Sequence, residues 1–306
     1  MTGFGYWRRT KQMQLGIKKQ ICLIIAVLLL GGMTSCSSKT TIDEEAVEKE
    51  IVVEEIAGEE AALLPPLIQA TTLEGDYRAM ARLELAATSC SEQGDLEQAY
   101  NNVLCSCVRI QAGEHYGSGS IYRMLENEII IVTNRHVLQY WNEDCFVTFF
   151  NGAVLKCTLM GMSDEADLGF VSIPASAFTY QELLAFRNVR LPVELFREKK
   201  NGESKDSISK GDKIFYVNIA SDWRNPVYME GEVFAPLMFL EDFQREMLYG
   251  RGNAVPGMSG SGVFDKYGNY VGMITGGTLQ NEIAAVPVEV IEKEFEKLIF
   301  SSLRTN

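Results

Sequence analysis

The chain has 306 residues, 46 % hydrophobic and 23 % charged, enough for one large domain or two ordinary ones and inconsistent with a wholly disordered, collagen-like or coiled-coil chain. Its formal charge of −13, from 28 Lys and Arg against 41 Asp and Glu, argues against a nucleic-acid partner. Its two histidines, His115 and His136, exclude a histidine-rich metal site, and any imidazole chemistry must use one of them.

The charge is unevenly spread. Residues 1–41 carry six basic residues and no acidic one, and residues 42–60 carry nine acidic residues against Lys49 alone. Lys18 and Lys19 precede the apolar run ICLIIAVLLL at residues 21–30. That run is shorter than the ~20 residues a membrane-spanning helix needs. Gly31, Gly32, Thr34 and Ser35 come next, so residues 1–35 read as a secretion signal, with Met13 an alternative start. Arg8-Arg9 lies too far upstream to form a twin-arginine signal. Met33-Thr34-Ser35-Cys36 resembles the lipobox of bacterial lipoproteins, although Met33 stands where that family usually has Leu. The resemblance implies a diacylated Cys36 as mature N-terminus and a location on the extracytoplasmic face of a bacterial cell membrane. An uncleaved signal anchor is the alternative.

Residues 36–75 read as an acidic tether, interrupted at Pro65-Pro66. Such a tether is repelled by an anionic membrane surface and holds the rest of the chain away from it. Residues 76–104 read as a helical lead-in with a break near Gly94. From Cys107 the texture changes to short runs rich in Val, Ile, Tyr, Phe and Thr: SCVRIQ, GSIYRM, EIIIVT, CFVTFF, AVLKCTLM, LGFVSI, KIFYVNI, GEVFAPLMF, GSGVF and NYVGMIT. Turn residues such as Asn151-Gly152 separate many of them. The pattern predicts a mostly β domain over 105–306, a barrel or sandwich without βαβ units. This disfavours a transporter-type substrate-binding lipoprotein. Helices are expected at residues 180–186 and 289–301, the second with a stripe of Val290, Ile291, Phe295, Leu298 and Ile299.

Three separated elements carry candidate chemistry. In the first, the strand-like run IVTNRHVL contains His136. In the second, DEADLGFV places Asp167 just before an apolar strand. In the third, PGMSGSGVF brackets Ser259 with glycines, a sign of unusual backbone geometry. The order His, Asp, Ser on a β-rich chain is that of chymotrypsin-type proteases. TNRHV, ADLGFVSI and GMSGSGVFD resemble the corresponding elements of trypsin-like peptidases. NYVGMITGG and AAVPVEVIEKEFEKL resemble the last strands and C-terminal helix of bacterial HtrA/Deg-type members, with no PDZ domain expected after that helix.

The resemblance implies a double six-stranded β-barrel with a C-terminal helix. It implies a serine endopeptidase acting on polypeptides without metal or cofactor. His136 serves as base, Asp167 as its orienting carboxylate and Ser259 as nucleophile, with the N–H groups of Gly257 and Ser259 as oxyanion hole. Asn253, Thr275, Gly276 and Gly277 are expected to line the substrate pocket. The chain departs from animal trypsins at Met258, where they have the Asp that pairs with a new N-terminus. Asn253 replaces their acidic pocket residue, and the strand after the nucleophile lacks the His of glutamate-specific relatives. A small or medium apolar P1 residue is therefore expected. A catalytically silent relative, binding peptides or acting as an envelope scaffold, is the rival reading. Ser261 lacks the G-x-S-G frame, and His115 is expected in a surface loop.

Beyond Cys22 and Cys36, an odd number of cysteines remains: Cys90, Cys105, Cys107, Cys145 and Cys157. A two-residue turn at Asn151-Gly152 puts Cys145 and Cys157 on opposite faces of their hairpin, whereas an odd-length loop centred on Asn151 sets them opposite each other. Free thiols are expected. The oligomeric state is not legible.

Overall fold

The computed structural model describes residues 72–90, 93–141, 144–192 and 208–304. The leader, Cys36 and the acidic tether lie outside the described residues. Ahead of the β domain stand helix α1 (Leu73–Arg82) and helix α2 (Leu96–Val103). Thr72 caps α1 by accepting from the Gly75 N–H, and Asp95 caps α2 by accepting from the Gln98 N–H. Both helices pack on the domain. Tyr77 is buried and donates to the Leu125 carbonyl at 2.6 Å, while Ala99 and Val103 enter the core. Glu84 and Gly94, at φ 67° and 70°, lie in the stretch between them.

Next come strands β1 (Cys107–Ala112), β2 (His115–Met124) and β3 (Glu128–Thr133). The four-residue helix α3 (Arg135–Leu138) leads to β4 (Cys145–Phe149), β5 (Val154–Lys156), β6 (Thr158–Met162) and β7 (Gly169–Pro174). They form one antiparallel sheet in the order β5-β4-β1-β2-β3-β7-β6. Its two edges, β5 and β6, are halves of one run that bends at Cys157. One half pairs with β4 and the other with β7. With the halves taken together, six strands close on themselves. The expected run AVLKCTLM is this bent strand.

Helix α4 (Tyr180–Ala185), with a Thr179–Glu182 capping box, precedes the second half. Strands β8 (Lys213–Asn218), β9 (Val227–Leu240), β10 (Arg245–Gly252), β11 (Gly262–Asp265), β12 (Tyr270–Gly277) and β13 (Glu282–Pro287) make a closed barrel, and helix α5 (Val288–Arg304) ends the fold. The domain is thus mostly β, a double barrel with a C-terminal helix. β10 reads REMLYGRG; its charges and glycines hide it from a search for β-branched runs.

Period-2 alternation explains why β3 (EIIIVT) is apolar almost throughout. Ile129 and Ile131 point into the first barrel, while Ile130 and Val132 face a core shared by both barrels. In β8, Ile214 and Tyr216 fill the second barrel, while Phe215 and Val217 join the shared core. Val288, Ile291 and Phe295 of α5 close that shared core.

Candidate active site

His136, Asp167 and Ser259 come from three elements that meet where the barrels join. His136 sits on α3, immediately after β3. Its Nδ1 is 2.7 Å from Asp167 Oδ2, and its backbone N–H donates to Asp167 Oδ1 at 2.9 Å. Asp167 lies on the turn before β7. Thr275 of β12 donates its hydroxyl to Oδ2, and the Asn134 amide donates to the Asp167 carbonyl at 3.0 Å and to Thr275 Oγ1 at 3.2 Å. Burial alone raises a carboxyl's pKa. Here the bonds from the His136 ring, the Thr275 hydroxyl and the His136 N–H outweigh it and hold Asp167 below the usual carboxylate range. The carboxylate is therefore anionic at neutral pH and can only accept at the His136 ring, which favours the tautomer with its proton on Nδ1.

The Asp167 turn is tied down from several sides. The Ser163 hydroxyl accepts from the N–H groups of Glu165 and Ala166 and donates to Glu294 of α5 at 2.6 Å. Lys297 bridges Glu165 and Glu294. The Arg135 guanidinium donates to the Ser163 carbonyl and that of Arg245 to the Glu165 carbonyl.

Ser259 is half-buried between two glycines of left-handed backbone, Gly257 at φ +92° and Gly260 at φ +88°. A Cβ at Gly260 would lie 2.0 Å from the Ser118 carbonyl oxygen. This close approach requires the glycine after the serine. Among the described residues, the N–H groups of Gly257 and Ser259 donate to no other group, and no hydrogen bond joins Ser259 to His136. That last bond is often long in free enzymes. Ser261 is buried and donates to the Val217 carbonyl at 2.8 Å, so its hydroxyl is engaged elsewhere. His115 opens strand β2 rather than sitting in a loop, exposed and stacked on Tyr140 with ring centroids 3.7 Å apart.

The residues expected in the substrate pocket are distributed differently. Asn253 is exposed, and its carbonyl accepts from the buried Tyr216 hydroxyl at 3.1 Å. Thr275 is buried against Asp167 instead of standing free in a pocket, because its hydroxyl satisfies the carboxylate. Gly276 and Gly277 end β12. A Cβ at Gly277 would lie 2.5 Å from the Ala254 Cβ, so Gly277 and Ala254 pass too close for any side chain at 277.

Sequence reasoning did not foresee the roles of Asn134, Thr275 and Ser118. The available signal was the presence of polar residues in strands that are otherwise buried, in TNRHV, GMITGG and GSGS.

The trypsin-like peptidase domain model matches residues 117–273, just over half of the chain. No curated protein matches the sequence. In fold the chain is similar to Rv3671c from M. tuberculosis H37Rv, whose crystal structure is of a serine-to-alanine mutant in an inactive form. The identity is 12 % and the TM-score 0.52, over 70 % of this chain and 95 % of that one. The order of the motifs, the double barrel and the family match agree: the chain belongs to the trypsin-like peptidase domain family.

Proposed function

We propose that the protein is a serine endopeptidase working through His136, Asp167 and Ser259. The observation that carries this reading is the 2.7 Å bond from His136 Nδ1 to an ionised Asp167, on the same junction as a serine flanked by left-handed glycines. In the reaction, Ser259 Oγ attacks the peptide carbonyl as His136 Nε2 takes its proton. The resulting oxyanion is held by the N–H groups of Gly257 and Ser259. His136 then returns the proton to the leaving amine, leaving an acyl group on Ser259. Water, deprotonated by His136, releases it. Asp167 stays ionised and stabilises the imidazolium. If Ala254 and Gly277 flank the P1 side chain, their close approach favours a small P1 residue, since a Cβ added at Gly277 would lie 2.5 Å from the Ala254 Cβ.

We further propose that lipid on Cys36 and the acidic segment behind it hold the domain outside a bacterial cytoplasmic membrane. The short apolar run and the lipobox resemblance support this.

Fluorophosphonate labelling tests the catalytic reading. Folded wild-type protein is expected to label and Ser259→Ala not to. Unlabelled, folded wild-type protein overturns the reading and favours the silent relative. The mass of the N-terminal peptide, compared with Cys36→Ser, tests the anchor.

A further inference from the structure

The nucleophile loop has no charged residue beside Ser259 to pin it. Met258 occupies that place, buried, its own N–H donating to the Val255 carbonyl at 3.1 Å while its sulfur accepts from the Val255 N–H at 3.2 Å. The Met258 N–H belongs to the Gly257–Met258 peptide, so that unit is tied to Val255 at its N–H end, and a second tie at its carbonyl end is needed to hold it from both sides. A glycine at φ +92° has rotational freedom that other residues lack.

Ser118 of β2 supplies the missing restraint. It is buried and bonded through three of its groups. Its N–H donates to the Ser259 carbonyl at 2.8 Å, its hydroxyl donates to the Gly257 carbonyl at 2.9 Å, and its own carbonyl accepts from the Thr133 hydroxyl at 2.7 Å. Thr133 ends β3, three residues before His136. One residue of the first barrel thus grips the carbonyls on both sides of Met258 and connects the loop to the strand that carries the histidine. Because a peptide unit is planar, ties at the Gly257 carbonyl and at the Met258 N–H hold that unit at both ends, and rotation of the flanking peptides, which carry the Gly257 and Ser259 N–H groups, is limited to the single bonds on either side of it.

We propose that Ser118 is a positioning residue: its hydroxyl holds the Gly257–Met258 peptide, the unit between the two peptides that carry the Gly257 and Ser259 N–H groups, and so keeps those oxyanion-hole donors aimed together. This rests on the reading of Ser259 as nucleophile, and Ser118 itself touches no reacting atom. A hydroxyl that merely satisfied its own hydrogen-bonding need would not couple to turnover.

The test compares the full chain with Ser118→Ala. Loss of a single oxyanion donor costs about 10²–10³ in kcat. A misaimed pair is expected to cost about tenfold to a hundredfold in kcat, with KM unchanged within about twofold. Amide hydrogen exchange is expected to accelerate in residues 255–260 and nowhere else. Wild-type kcat in Ser118→Ala, unchanged exchange in 255–260, or acceleration spread over the whole domain each overturns the proposal. If Ser118→Ala does not fold, Ser118→Cys is read by the same criteria, since it keeps the volume but leaves only a weak donor. Exchange needs no activity. If the wild type proves inactive, the endopeptidase reading falls while the exchange arm still decides whether Ser118 holds the loop.

Discussion

Replacing Asp167 by Asn keeps the shape but reverses the hydrogen bond at His136 Nδ1, since an amide nitrogen donates where the carboxylate accepted. The imidazole is then driven toward the wrong tautomer. We expect kcat of Asp167→Asn to fall about 10⁴-fold with little change in KM, as read by steady-state kinetics. The same carboxylate has a pH signature. Its folded-state pKa is lowered, so its contribution to stability is complete above the ordinary carboxylate pKa of about 3.9 and is lost as pH falls through the lower folded value. Denaturant melts of the wild type are expected to lose stability across that acid window, and Asp167→Asn to lose less. On the substrate side, with the P1 side chain placed beside the close approach of Ala254 to Gly277, peptides with Ala or Ser at P1 are expected to be cleaved at least about tenfold faster, in kcat/KM, than those with Phe or Lys. Ala254→Gly is expected to narrow that difference. Equal rates across P1 residues in the wild type would reject the contact as a determinant of specificity.

Helix α5 does more than end the chain. Its Glu292 receives both 2.8 Å bonds from the Arg123 guanidinium and also accepts from the Tyr122 hydroxyl, all largely buried. Glu292→Ala strands the Arg123 charge and the hydroxyl together. We expect a loss of about 3 kcal/mol in urea melts. A two-residue hydrophobic replacement, Arg123→Leu with Glu292→Leu, is expected to recover much of it. The β4–β5 hairpin shows how one residue of loop length decides a pairing. The Phe149 N–H donates to the Ala153 carbonyl, which fixes an odd-length loop and sets Cys145 opposite Cys157. The Cys157 N–H donates to the Cys145 carbonyl at 3.1 Å, which confirms that register. Burial pushes the Cys157 thiol up to about 12, so it is protonated and unreactive at neutral pH. Iodoacetamide is expected to modify neither Cys145 nor Cys157 until the protein is unfolded, with peptide mass spectrometry as the readout. Most strands were legible as β-branched runs, and helices at residues 180–186 and 289–301, the second by its apolar stripe. The run REMLYGRG was not, because its apolar positions are too few, while Gly250 allows the close approach of β9 and Gly252 makes room for Tyr216 of β8.

For the whole molecule, the sequence alone determined the β-rich domain, the order of His136, Asp167 and Ser259, and the resemblance that the family match bears out over residues 117–273. Side-chain alternation, turn residues and the glycines of a left-handed loop are local requirements, and local requirements are written in neighbouring residues. Only the tertiary structure decided which residues complete the site. Thr275 and Asn134 reach Asp167 and each other, Ser118 grips the Gly257 carbonyl, and Ala254 closes on Gly277. The first two of these links cross from one barrel to the other over 141 and 139 residues of chain. No periodicity spans such a gap. The contacts exist because two barrels, each with its own apolar interior, also bury a shared core between them, and that packing sets the polar ends of their strands against one another.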